Sequence, residues 1–434
     1  MPVSETASDR ITLKQDTARE SGTHLKTRSP VPIRYIILGL LIAAGCISYI
    51  DRTAMAAANV DIAREFGLSF TELGVLLSSF ASVYLVCQIP AGLLADRAGG
   101  RWLLFICLLL WSAAQWLSAV AGSVHGLLVA RCLLGVSEAP VFLIGTRLIT
   151  RYFEPARRAT PIAFLNASSS LGQVIGPMML GAVSGAFGWR AMFAFVGSLS
   201  AGLALLWISI YRNPKATGSE PEQPEPPRAE KVIHELRRLL SFRTSWALAG
   251  GFVGVIYLQW LYAAWLPTYF QTARHFTVSQ AGYLSSVPQF AGFIGGLAGG
   301  IVTDRLARRG WTPARACRTP LVAALLVAAV TTMLVPFCAT TTLAVIVMSV
   351  SLFATGIAMT TGWTLGTVLI DEGSVATLEA IQNMGGSLGA VMAPVLTGAA
   401  LQHSGSFTLA MAIAGVITLG SAALYRIGTR TRIS

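Results

Sequence analysis

Residues 35–60 read YIILGLLIAAGCISYIDRTAMAAANV, and within them Ser48-Tyr49-Ile50-Asp51-Arg52 sets a carboxylate beside a guanidinium in a run with no other charge. A run of this length crosses a bilayer, whose hydrocarbon core takes roughly 20 helical residues. Asp51 and Arg52 therefore fall at membrane depth. An ionised side chain there is costly, so the pair marks a functional site unless it serves only to staple helices together.

Composition extends the same conclusion to the whole chain. Of 434 residues, 54% are hydrophobic and 12% charged, where a soluble domain carries roughly 25% charged residues. The chain reads as an all-α polytopic membrane protein. Its formal net charge of +12 would suggest nucleic acid in a soluble protein, but here the basic residues mark topology and no nucleic-acid partner is expected. The six cysteines (Cys46, Cys87, Cys107, Cys132, Cys317, Cys338) show no C-x-x-C spacing and sit mostly in apolar runs. They read as small hydrophobes, neither a disulfide frame nor a metal site. The five histidines are well separated at tails, loops or helix ends, so no metal is expected. Residues 1–33 are polar and of mixed charge, without a cleavable signal, and the first helix is expected to be its own insertion signal.

Twelve spans are predicted near 34–60, 70–95, 102–121, 126–149, 160–183, 189–210, 246–270, 279–303, 319–338, 341–369, 376–402 and 406–425. Between the sixth and seventh lies a charged stretch with Pro214, Pro221, Pro224, Pro226 and Pro227, read as a solvated linker. The organisation is a tail (1–33), a six-helix bundle (34–210), a linker (211–245), a second bundle (246–425) and a short tail (426–434). Arginine and lysine gather in the tails, the linker and alternate loops, at Arg97, Arg101, Arg151, Arg157, Arg158, Arg305, Arg308, Arg309, Arg315 and Arg318, while the opposite loops hold little beyond Arg64, Arg190 and Arg274. Both termini and the linker are accordingly predicted to be cytoplasmic.

The two bundles repeat. Ser69, Glu72, Gly74, Leu76, Ser78, Gly92, Asp96 and Arg97 recur, 208 positions later, as Thr277, Gln280, Gly282, Leu284, Ser286, Gly300, Asp304 and Arg305. A second match, offset by 217, pairs Asn166, Ser170, Leu171, Gly172, Pro177 and Gly181 with Asn383, Ser387, Leu388, Gly389, Pro394 and Gly398. Parallel repeats of six spans point to a transporter with its site at the midplane between halves, and the glycine and proline density of spans five, eight and eleven suits helices that pack closely and slide.

Arg131 and Glu138 are seven residues apart in span four, which places them on one face about 10 Å apart along the axis. Each needs another partner, and Asp51 and Arg52 are the nearest candidates. Because neighbours on a helix diverge by about 100°, Asp51 and Arg52 cannot both point at one ligand. Arg52 is expected to offer a bidentate fork to a substrate carboxylate, with Asp51 and Glu138 as the proton-coupling pair. Arg131 either holds Glu138 or assists the anion. Spans seven to twelve carry no clear mid-depth charge, so that half is expected to supply neutral readout through Trp363, Gln382 and Asn383. Tyr49, Tyr84 and Gln88 are read as substrate-binding residues on the other side. Among Tyr257, Gln259, Trp260, Tyr262 and Trp265 of span seven, some are expected to line the cavity and most to form an interfacial aromatic belt. Arg147 is left between snorkelling and the site.

The segment from Gly92 through Asp96, Arg97 and Arg101 (GLLADRAGGR) resembles the loop signature of the major facilitator superfamily, with a weaker copy at residues 300–309. The resemblance implies the fold of twelve helices in two halves, and assigns Gly92, Asp96, Arg97, Arg101, Asp304 and Arg305 to a conformational latch. Tyr49-x-Asp51-Arg52, Tyr84-x-x-x-Gln88-x-Pro90 and Arg131-x-x-x-Gly135-x-x-Glu138-Ala139-Pro140 are similar to the anion:cation symporter family, with departures at Ser48 (Asn is usual), Leu143 and Arg157. That likeness implies proton coupling at Asp51 and Glu138, anion binding at Arg52, and substrate contact at Trp363 and Asn383.

The expected function is proton-coupled import of a small organic anion, a sugar acid or other carboxylate, by a monomer in a bacterial inner membrane, with protons as coupling ion and no cofactor. An alternative is a proton-coupled exporter of drugs or metabolites, which Gly172-Gln173-Val174-Ile175-Gly176-Pro177 partly resembles; two arginines at membrane depth oppose a cationic substrate. No G-x-S-x-G elbow or H-E-x-x-H helix occurs, so the chain is not read as an enzyme.

Overall fold

The computed structural model describes residues 31–97, 100–153, 157–212, 229–370, 374–429 and 431, and it is helical almost throughout. The first half comprises α1 (Val31–Phe66), α2 (Phe70–Arg97), α3 (Gly100–Val120), α4 (Val124–Glu138), α5 (Val141–Tyr152) and α6 (Ala159–Ile210). After α7 (Ala229–Leu240) the second half follows as α8 (Arg243–Thr272), α9 (Val278–Arg308), α10 (Pro313–Leu334), α11 (Thr341–Val368), α12 (Val375–Ser404) and α13 (Phe407–Gly428).

Local chemistry sets the breaks. Glu72 folds back to accept the Ser69 N–H while Ser69 Oγ accepts the Glu72 N–H, and Thr277 with Gln280 repeats this capping box at α9. Pro140 has no N–H to continue the ladder, so α4 and α5 meet there and together make the fourth span. Gly188, at φ 84° and ψ 162°, adopts a conformation that side chains oppose, and α6 doubles back at this point. Trp189, just past the bend, bonds Glu65 at the end of α1, whereas Ile208 meets Arg101 at the other end of the bundle. Among the described residues eleven helical stretches are long and apolar enough to span a membrane, and division of Thr160–Ile210 at Gly188 makes twelve crossings.

The segment expected as a solvated linker carries α7. Its Leu239 is fully buried, Ser374 Oγ at the start of α12 donates to Glu235 Oε1 at 2.5 Å, and Arg238 pairs with Glu235 at 3.0 Å. An amphipathic sequence, apolar at Leu236, Leu239 and Leu240, has found a protein surface to cover.

The sequence repeat appears as a repeat of contacts. Gly172 rests on the Cys46 carbonyl inside the first half, and its counterpart Gly389 rests on the Val253 carbonyl inside the second. Between halves, Gly181 lies against Gly282 and the Val278 carbonyl, and Gly398 against Gly74 and the Phe70 carbonyl. Added Cβ atoms would stand 2.3 Å from the Pro177 carbonyl oxygen at Gly282 and 2.5 Å from that of Pro394 at Gly74. These close approaches, available only to residues without side chains, sit at one end of the molecule. That end carries the charge-poor loops around Gly67, Gly188 and Gly405, and there the halves are closed against each other.

Candidate functional site

Ser48 and Arg52 are one turn apart on α1, so both reach Glu138 at the end of α4. Ser48 Oγ donates at 2.7 Å and Arg52 Nε at 3.0 Å to the same oxygen, Glu138 Oε2. Glu138 is 1% exposed, while the Arg52 side chain keeps 12% of its surface open. Asp51, a third of a turn away, faces the interior of the first half. It is fully enclosed and accepts the indole N–H of Trp111 on α3. Gln115, one turn further along α3, is also buried. Neither residue was singled out in the sequence, since a tryptophan in an apolar helix carries no mark of its partner.

Arg131 is 2% exposed and stands with its guanidinium carbon 5.0 Å from the centre of the Phe80 ring. The cluster thus encloses two carboxylates and two guanidiniums. Several of its atoms have no hydrogen-bond partner: Asp51 Oδ1, Glu138 Oε1, Arg52 Nη2, and Nε and Nη1 of Arg131. Buried polar atoms are rarely left so, and this set of open donors and acceptors is equipped to receive further polar groups.

Aromatic rings frame Arg52. Its guanidinium carbon lies 4.4 Å from the Tyr49 ring centre, 4.9 Å from Tyr84 and 5.1 Å from Phe80. Phe80 stacks on Tyr84 and, across the halves, on Trp260 of α8. The interfacial belt expected of span seven is not what forms: Tyr257, Tyr262 and Trp265 are fully buried, with Tyr262 bonded to Thr332. Packing against neighbouring helices leaves α8 few positions to present at a membrane surface. Trp260, grouped with them in the sequence, is the one that reaches the arginine site.

The second half contributes neutral side chains. Asn383 Nδ2 donates to Gln88 Oε1 at 3.4 Å, and Gln259 Nε2 to Gln173 Oε1 at 3.3 Å, two amide bridges between halves. Trp363 is half-buried and edge-on to Phe252. Gln382, expected beside Asn383 as a binding residue, instead turns into its own half, fully buried, and donates to the Gly362 carbonyl at 3.1 Å. Adjacent helix positions diverge, and only one of this pair can face the first half.

Of the latch residues, Gly92 and the side chains of Asp96 and Arg97 lie outside the described residues. Arg101 is held within its own half, donating to the Ile208 carbonyl at 3.0 Å, and Asp304 and Arg305 are exposed. An element with no signal in the sequence appears at the charge-poor end, where Arg190 grips Glu65 with two bonds of 2.6 Å and Trp189 adds a third.

Residues 41–378 match the Major Facilitator Superfamily. This chain belongs to that superfamily. Among its superfamily relatives are a probable L-galactonate transporter of Escherichia coli K12, 34% identical over 394 residues that cover 89% of this chain and 87% of the relative, and the Bacillus subtilis hexuronate transporter, 28% identical with coverage of 87% and 90%. The fold agrees with the inward-facing, unoccupied crystal structure of a bacterial homologue of the human lysosomal transporter Spinster, at a TM-score of 0.79 and 21% identity over 93% of this chain and 98% of that one. A D-xylose–proton symporter aligns with a TM-score of 0.71 and 16% identity over 92% and 99%. As a superfamily member the protein is a multi-pass membrane transporter, not an enzyme.

Proposed function

We propose that this transporter imports a small organic anion, a sugar acid or a related carboxylate, together with protons. The observation that carries the reading is Arg52. Its guanidinium is tethered at Nε to Glu138 and framed by three aromatic faces, its Nη2 has no hydrogen-bond partner, and the side chain keeps 12% of its surface open. A planar fork so held suits a carboxylate. The relatives, transporters of galactonate and hexuronate by name, support that class.

Charge balance supplies the coupling. Asp51, Glu138, Arg52 and Arg131 sum to zero when all are ionised. Adding an anion beside them leaves an uncompensated charge in a low-dielectric site, and a proton taken by Glu138 or Asp51 restores neutrality. Anion and proton then favour each other's binding, which is symport in thermodynamic terms. The gathering of arginine in alternate loops supports placing that end in the cytoplasm, and the closed charge-poor end then faces outward.

Uptake into proteoliposomes made alkaline inside, across hexonates, hexuronates, dicarboxylates and aromatic acids, tests the proposal. Accumulation of one acid that collapses with a protonophore is the expected result. Retained proton-driven uptake in the double variant Asp51→Asn, Glu138→Gln would overturn the coupling assignment.

A further inference from the structure

Phe80 has no place among the polar groups that bind anion or proton, yet it is the meeting point of the site. Its ring is fully buried, lies 6.2 Å from that of Trp260 at an angle of 25°, and has both buried guanidiniums within 5.1 Å of its centre. Trp260 belongs to the opposite half. Along α2, Phe80 lies one turn nearer the charge-poor end than Tyr84, and both rings face the Arg52 guanidinium, whose carbon is 5.1 Å from the one and 4.9 Å from the other. The Phe80–Trp260 stack is therefore on the charge-poor side of the guanidinium, while Tyr84 and Gln88 continue toward the other end.

Building on the transport reading above, we propose that the Phe80–Trp260 stack is the gate that closes the outer side of the arginine site. The rings sit on different halves, so that side cannot open without parting them. Toward the charge-poor end the closure continues as helix backbones in contact at Gly74, Pro177, Gly282 and Pro394. The stack is its innermost layer, and the only gate residue touching both arginines is Phe80 among the described ring–cation contacts. Through that ring, movement of either guanidinium toward an anion is felt at the contact between halves.

Thiol labelling tests this without any substrate. Ile256, one turn from Trp260 toward the arginine-rich end, is half-buried and packs on two apolar clusters, one shared by both halves and one almost wholly of the first half. With the six native cysteines replaced by serine, Ile256→Cys is labelled by a membrane-impermeant maleimide applied to the charge-poor side. An aromatic pair carries about two- to tenfold of equilibrium beyond its area. Phe80→Ala, Trp260→Ala and the bulk-retaining Trp260→Leu should each raise the labelling rate by about that factor. Trp260→Phe should stay near the parent, and the Phe80→Ala, Trp260→Ala double variant should label no faster than the faster single. Unchanged rates in Phe80→Ala and Trp260→Leu, with labelling from the arginine-rich side still at the parental rate, overturn the proposal, and so does an additive double variant. Because no anion is present, failure of the acid panel and failure of the gate are separate results.

Discussion

Glu138 Oε2 receives both Ser48 Oγ and Arg52 Nε, so the residue proposed to take a proton and the residue proposed to take the anion share one bond. Whatever draws Arg52 away from Glu138 changes what Glu138 must be paired with. On the proposed reading, an anion bound at the guanidinium does that directly and the buried Glu138 responds by taking a proton.

Arg52→Lys keeps the charge and loses the fork. A lysine cannot reach Glu138 and a substrate carboxylate with the same planar geometry. Loss of a buried, charge-assisted contact is worth about 2–5 kcal/mol, so KM for the transported acid should rise at least about 30-fold. Initial-rate uptake against concentration measures it; an unchanged KM would remove Arg52 from the binding site.

Trp111→Phe removes the indole donor from Asp51 and keeps an aromatic ring. A buried acceptor left unsatisfied costs about 1–3 kcal/mol, and the thermal midpoint in detergent should fall accordingly. If Asp51 handles protons, the pH profile of uptake should also move while KM changes by less than about twofold. A variant that loses stability with an unmoved pH profile would restrict Trp111 to packing.

Gly282→Ala sets a methyl group against the Pro177 carbonyl, where helix backbone leaves it no room. The closed charge-poor end should be disfavoured, with slower uptake and faster labelling of inner positions from that side. Gly202→Ala, which meets nothing within 4 Å, is the control expected to behave as the parent.

The docking of α7 should be sensitive to acid. Bonds from Ser374 and Arg238 hold the Glu235 carboxyl below its ordinary value. A lowered folded-state value means that the contact is fully present above the ordinary glutamate range and is lost as pH falls through the lowered one. The hydrogen-exchange protection of residues 229–240, taken relative to the intrinsic exchange rate at each pH, should therefore be flat from neutral pH down to mildly acid conditions and fall only below the ordinary glutamate range. Because the carboxylate stays partly exposed to solvent, Glu235→Gln should cost less than about 1 kcal/mol at neutral pH.

Arg190 and Glu65 join the bend of α6 to the end of α1, beside the Trp189 ring. Their bidentate geometry makes this pair stronger than an ordinary surface bridge, so Arg190→Ala should lower the thermal midpoint by a few degrees without changing KM. A changed KM would place this cluster in the transport cycle.

Membrane class, number of crossings, internal repeat and most of the charge cluster were legible in the chain, because each rests on local rules. Apolar length fixes a span, a capping box fixes a helix start, and a charge in an apolar run announces itself by its cost. The glycines matched by spacing, Gly74 with Gly282 and Gly181 with Gly398, exchange partners in the fold: Gly181 meets Gly282 and Gly398 meets Gly74 across the halves. What the chain left open were choices among partners. Asp51 takes Trp111 rather than an arginine as the donor it bonds, Gln382 turns inward while Asn383 faces Gln88, and Trp260, alone of the α8 aromatics, stacks on Phe80. Helical spacing gives each side chain a direction on its own helix, but the rotation and separation of twelve spans decide what that direction meets, and only the packed bundle contains that information.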